Sequence, residues 1–132
     1  MALAADETQP PLAVETLDYP NAAQIQQEQK ILLKRGDGNI VFVTCDGTTD
    51  IVIKSRLSKS VEFCFDVRAK PAYLTLEVGD SFGLFTRDYP VTATITADGQ
   101  QTVIKATAND YEPFGEGVGG ARSTVVDLRV TG

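Results

Sequence analysis

The sequence predicts an all-β protein: an antiparallel β-sandwich, Ig-like or jelly-roll-like, of about eight or nine short strands with at most one short helix near the N-terminus. Three observations carry this. Apolar and polar residues alternate with period two through most of the chain after residue 30. The runs are rich in Val, Ile, Thr and Phe, whose branched or flat side chains suit a pleated surface. Breaks containing Gly, Asp or Pro recur about every ten residues.

Taken in order, residues 1–20 carry Pro10, Pro11 and Pro20 with scattered acids and no steady period. They read as a flexible tail, which leaves 21–132 as a single domain. Asn21 to Lys30 is the one helix-like run, with Asn21 as the expected cap and Ile25 its only large apolar residue. Lys30 to Arg35 and Asn39 to Cys45 flank Gly36-Asp37-Gly38, which reads as a hairpin connection. A turn from Cys45 to Asp50 leads into Ile51-Val52-Ile53. Val61, Phe63, Phe65 and Val67 then share one face, opposite Glu62, Cys64 and Asp66. Separate strands are expected at 73–78 and 82–86, then a β-branched one at 91–96. Asp98-Gly99 turns the chain into 102–107, and 124–130 closes the domain.

Cys45 and Cys64 have 18 residues between them. In an exported domain of this size they are expected to form a disulfide, worth on the order of 3 kcal/mol. The pair also constrains topology. Next-nearest strands in a sheet lie roughly 10 Å apart, whereas a disulfide spans at most about 7 Å between Cα atoms. The strand at 51–53 therefore cannot sit between its two sequence neighbours. It belongs to the other sheet or is shifted along the edge, which favours a sandwich with crossovers over an up-and-down barrel.

The chain has 132 residues, 42% of them hydrophobic, enough for one core and no second domain. It contains no His, which removes the commonest general base, the commonest metal ligand and every Ser-His or Cys-His pair. Acidic side chains outnumber basic ones 18 to 12 without a basic patch, arguing against a nucleic-acid surface. No run approaches the ~20 apolar residues of a membrane span, so no membrane insertion is expected. Ala2-x-Ala4 has the small-x-small form of a signal-peptidase site, which together with the cysteines points to a secreted protein.

The motifs narrow the choice further. Gly115 to Gly120 satisfies G-x-G-x-x-G, but a strand follows it instead of a helix, so it is no dinucleotide site. It marks the longest irregular stretch, 108–122, which carries Asp110, Tyr111, Glu112, Phe114, Glu116 and Arg122. Arg35-Gly36-Asp37 is an RGD tripeptide, which turn chemistry alone also supplies. Asp-Tyr-Pro occurs at 18–20 and 88–90, with a relaxed copy at 110–113, so three of the four tyrosines sit beside a carboxylate in proline-bounded loops. Tyr in a rigid loop offers large amphipathic contact area at low entropic cost. The loop acids lack the rigid, desolvating support of a glycosidase pair, and the pattern of an EF-hand is missing.

In composition the chain resembles small exported domains of high-GC bacteria, rich in Thr, Val, Ala, Gly and Asp and sparse in Lys. The enediyne-antibiotic carrier proteins share that composition as secreted, acidic, Ig-like sandwiches with two disulfides. This chain has cysteines for one, and no residue is carried over from them.

The expectation is a secreted, non-catalytic binding domain, monomeric or weakly associating, without cofactor or metal. Its aromatic- and Gly-bearing loops would contact a protein or glycan partner. Tyr111 and Phe114 are the expected anchors, Glu112 and Arg122 the orienting groups, and Tyr89 a companion. The alternatives are a carrier with an apolar cleft between its sheets, and a protease inhibitor presenting Arg122 or Arg35 on a convex loop.

Overall fold

Period-two alternation becomes sheet only when each strand finds an edge, and here one long strand supplies edges to four others. The computed structural model describes residues 17–131. Its strands are β1 (Leu17–Asp18), β2 (Leu32–Gly36), β3 (Ile40–Val43), β4 (Ile51–Ser55), β5 (Glu62–Val67), β6 (Ala72–Thr86), β7 (Val91–Ala97), β8 (Gln100–Ala106), β9 (Tyr111–Pro113) and β10 (Ser123–Val130). Helix α1 (Ala22–Gln29) follows β1, and a 3-10 turn at Gly115–Val118 precedes β10. The strand pairings are antiparallel, and the fold is all-β and sandwich-like.

The two strands expected at 73–78 and 82–86 are one. Gly79 and Asp80 bend β6 without ending it; Asp80 takes a φ of 48° and the registers against β10 and β4 slip there. Before the bend β6 pairs with β10 and β2; after it, with β4 and β9. The strand thereby joins two wings of one continuous, bent sheet, β1–β2–β6–β10–β7–β8 and β3–β5–β4–β6–β9. Ser55, Ser81 and Ser123 lie side by side across the bend, all buried. Their hydroxyls donate to the carbonyls of Gly79 (2.7 Å), Ser123 (3.0 Å) and Ala121 (3.2 Å), satisfying acceptors that a bent ladder leaves over. Inward residues of both wings, among them Ile51, Ile53, Phe65, Leu74, Leu76 and Leu128, form a single core.

Two connections differ from expectation. Gly36-Asp37-Gly38 does not join a hairpin, because β2 pairs with β1 and β6 whereas β3 pairs with β5. Gly36 abuts the Tyr73 carbonyl, where a Cβ would approach to 2.7 Å. Asp37 Oδ1 accepts from the backbone N–H of Asn39 (3.1 Å) and Tyr73 (3.3 Å), folding the chain over the sheet edge. The RGD side chains are thus occupied internally, with Arg35 paired to Asp18 at 2.9 Å. The second difference is β4. The Cys45–Cys64 disulfide is present and β3 and β5 are neighbours, but β4 stays in their sheet, on the far flank of β5. Segment 44–50 therefore crosses over β5.

Asp98-Gly99 makes the expected two-residue turn, with φ of 52° and 76° between paired Ala97 and Gln100. Asn21 stands at the helix N-cap with a φ of 59° and makes no side-chain cap bond; α1 buries nothing fully, and Ile25 rests on the core. Residues 1–16, including the Ala2-x-Ala4 site, lie outside the described residues. Residues 17–20, read above with the tail, are attached to the body. β1 pairs with β2, and the Tyr19 hydroxyl accepts the Phe42 N–H at 2.7 Å on the free edge of β3.

Candidate functional site

The alternation of β5 sends Phe63 and Phe65 into the core and Glu62, Cys64 and Asp66 to the outer face. Cross-strand register extends that outer face as two rows. Cys64, Val52, Phe85 and Tyr111 oppose one another across β5, β4, β6 and β9; Glu62, Lys54, Gly83 and Pro113 form the next row.

Segment 44–50 walls one side of these rows. The disulfide ties it to Cys64, which is only 1% exposed although it points away from the core. At its other end Asp50 Oδ2 accepts the Val67 N–H (2.8 Å), and Asp66 Oδ1 accepts the Asp50 N–H (3.3 Å). Within it, Asp46 accepts from the N–H and hydroxyl of Thr48, which holds the Asp46 carboxyl below its ordinary pKa. The β6–β7 and β8–β9 connections close the opposite side. The Arg87 guanidinium donates to the Gly47 carbonyl (3.1 Å), and its N–H to the Asp50 carbonyl (3.2 Å). The Asn109 N–H donates to the Arg87 carbonyl (2.6 Å), and the Thr86 N–H to that of Asp110 (2.9 Å).

These walls enclose a cleft of about 480 Å³ on the outside of the sheet. Val52, Phe85, Tyr111 and the disulfide give it an apolar floor. The Phe85 and Tyr111 rings stack with centroids 4.2 Å apart, each residue 38% exposed. The phenol end of Tyr111 lies over Gly83, where a Cβ would overlap it. Lys54 Nζ is 5.5 Å from the Phe85 ring centre and 3.0 Å from Glu62, so the nearest charges are mutually neutralised. Thr49 lines the cleft at 4% exposure, and its hydroxyl has no hydrogen-bond partner among the described residues.

The sequence-derived site residues divide. Tyr111 is in the cleft, with Asp110 beside it. Glu112 is not part of the cleft lining, but its carboxyl is hydrogen-bonded to that of Asp110; the shared proton raises Glu112 and lowers Asp110. Phe114 is no surface anchor. It is 3% exposed, belongs to the core, and its N–H donates to the Phe82 carbonyl at 3.1 Å. Arg122 reaches Glu116 (3.6 Å) and Asp80 (3.7 Å), and Arg56 pairs with the same Glu116 at 2.8 Å, fastening the 3-10 turn onto the bend of β6. Tyr89 packs on the core with Lys70 Nζ 5.2 Å from its ring, away from the cleft lining. The stretch 108–122 is thus partly an edge strand and partly a cover.

Sequence reasoning missed Val52, Thr49, Arg87 and Asn109, which only the crossover brings together. Phe85 did carry a signal. Leu84 points inward, so the alternation places an aromatic ring outward, where a polar residue is the norm. Cys45, Glu62 and Cys64 set three donor atoms within 4.8 Å, but sulfurs joined in a disulfide are not thiolate ligands.

The chain matches no family model and no curated protein. What the protein does rests on the cleft itself.

Proposed function

We propose that the protein is a secreted, non-catalytic binding domain that takes a neutral glycan in the outer-face cleft. The observation that carries this reading is the floor: the stacked Tyr111 and Phe85 rings, half open to solvent and ringed by Thr49, Glu62, Thr86, Arg87, Asn109 and Asp110. A sugar ring has apolar C–H faces and hydroxyls around its rim, so it presents both surfaces this cleft complements. The wall hydrogen bonds through Arg87 and Asp50 hold the cleft in shape before binding, which lowers the ordering cost. Among the described residues no helix is long and apolar enough to cross a membrane, and together with the disulfide this favours an exported protein. The composition, which resembles that of small exported bacterial domains, supports the same reading.

The two other classes draw less support. A carrier would hold its ligand between the wings, where Phe65, Leu74, Leu76 and Leu128 already pack. An inhibitor would present a free basic residue, but Arg122 and Arg35 are both ion-paired. Catalysis would need an acid poised in the cleft. Glu62 there is paired with Lys54, and Asp110 is held below its ordinary pKa by Glu112.

The test is depletion from solution by insoluble polysaccharides, comparing the wild type with Tyr111→Ala. Loss of one stacking residue is expected to weaken retention by about tenfold or more. Equal retention of both proteins would remove the cleft from consideration.

A further inference from the structure

We propose that the ligand is an extended chain that leaves the cleft across the disulfide and continues into a second cleft on the other side of Glu62 and Cys64. This rests on the glycan reading and specifies the ligand's length. The two clefts share Glu62 and Cys64 in their linings, and the second, at about 600 Å³, is the larger. It exists because β3 stops at Val43, opposite Cys64, and Thr44 and Cys45 then leave the sheet to cross β5. Among the described residues, the flank of β5 at Glu62 and Phe63 has no strand neighbour on that side, and Gln29 of α1 and the 58–60 loop frame the gap. Gln29, Ser58 and Ser60 pass in turn into a third cleft of about 250 Å³. The crossover that walls the first cleft thus also opens the second, and the trough runs on from Arg87 at one end toward α1 at the other.

The chemistry along the trough favours a saccharide chain over a peptide. Thr44, Ser58, Ser60 and Gln29 supply neutral hydroxyl and amide groups that both donate and accept, which suits a row of sugar hydroxyls. A peptide entering beside a strand gains affinity by pairing with free backbone groups. Here the Glu62 carbonyl already accepts the hydroxyls of Ser58 (2.7 Å) and Ser60 (3.4 Å). The charged pair Lys54–Glu62 stands where the chain would pass from one cleft to the next, offering a donor and an acceptor without net charge.

The experiment is calorimetric titration with β-1,4-linked gluco-, xylo- and N-acetylglucosamine oligosaccharides of two to six units. The wild type is compared with Tyr111→Ala, Ser60→Trp and Ser60→Ala. Ser60 is exposed, so a Trp there narrows the second cleft without entering the core. The expected result is at least a tenfold gain in affinity from two to six units. Ser60→Trp erases that gain while leaving the disaccharide within twofold, Ser60→Ala, which removes one hydroxyl without narrowing the cleft, lowers it only about threefold, and Tyr111→Ala weakens every length. Affinity that is flat with length, or a hexasaccharide unaffected by Ser60→Trp, overturns the extended-chain proposal and leaves single-cleft binding standing. If no oligosaccharide of any length binds, the glycan reading falls and takes this proposal with it. Binding of a peptide library in the trough would have the same consequence.

Discussion

The connections at 44–50 and 98–99 both link strands, and they do opposite things to the face beside them. Asp98-Gly99 joins β7 to β8 within two residues, and the outer side chains of β7 (Thr92, Thr94 and Thr96) form a half-buried row that no crossover among the described residues walls. Segment 44–50 has to step across β5 to reach β4, so it lies on the outer face and becomes a wall. The same alternation of in and out produces a plain surface in one wing and a cleft in the other. The difference comes from strand order, and the disulfide makes that order tight enough to shape a site.

The largest expected effect comes from cutting the wall loose. Replacing both cysteines, Cys45→Ser with Cys64→Ser, is expected to cost about 3 kcal/mol in denaturant unfolding, from loss of the closed loop. It should also abolish chain-length dependence in glycan binding, since the disulfide sits between the two clefts. A stability change below about 1 kcal/mol would mean that the crossover holds itself without the bond. Next, Gly83→Ala places a Cβ where the phenol of Tyr111 lies. Affinity is expected to fall about tenfold by titration, at a stability cost of about 1 kcal/mol from local overpacking. Unchanged affinity would show that the position of Tyr111 does not matter.

The hairpin side of the comparison should respond differently. Gly99 has a φ of 76°, so Gly99→Ala is expected to cost about 1 kcal/mol while binding stays as in the wild type. A binding defect there would contradict the separation of the two faces.

The smallest effect concerns pH. Glu112 has its folded pKa raised by the carboxyl of Asp110, so the folded protein holds more protons there than the unfolded chain. Its stabilising contribution is present at low pH and lost as pH rises through that raised value. Asp110 runs the other way; its contribution is present above its ordinary value and lost as pH falls through the lowered one. Glu112→Gln keeps a hydrogen-bond donor without the titration. It should flatten the thermal-midpoint profile in the window just above the ordinary glutamate value of 4.5. A profile identical to the wild type would show that the pair contributes nothing.

Most of the sheet was legible because strand period is local. Residues 91–96 and 124–130 alternate plainly, and Asp98-Gly99 has one well-favoured turn geometry. What failed was what depends on partners far along the chain. Gly79-Asp80 looks the same in sequence whether it ends a strand or bends one; only the edges offered by β4, β9 and β10 decide. Gly36-Asp37-Gly38 has hairpin chemistry, yet the Tyr73 backbone takes both Asp37 and the space beside Gly36. The cysteines excluded the meander because a disulfide has a fixed reach, but they left open which side β4 takes. In the site, Tyr111 was legible as a tyrosine held next to a proline-bounded acid. Phe114, three residues on, was grouped with it because 108–122 read as an irregular stretch; once 111–113 pairs as a strand, the odd spacing puts the two rings on opposite faces and the core claims Phe114.

The central claim is that the crossover builds the binding site on its own face and not on the other. Amide chemical-shift mapping during titration with a neutral β-1,4-linked hexasaccharide tests it most directly. The account predicts shifts concentrated at Thr49, Val52, Phe85 and Tyr111 and extending to Ser58 and Ser60. Shifts centred on Thr92, Thr94 and Thr96, with the cleft residues unmoved, would contradict it.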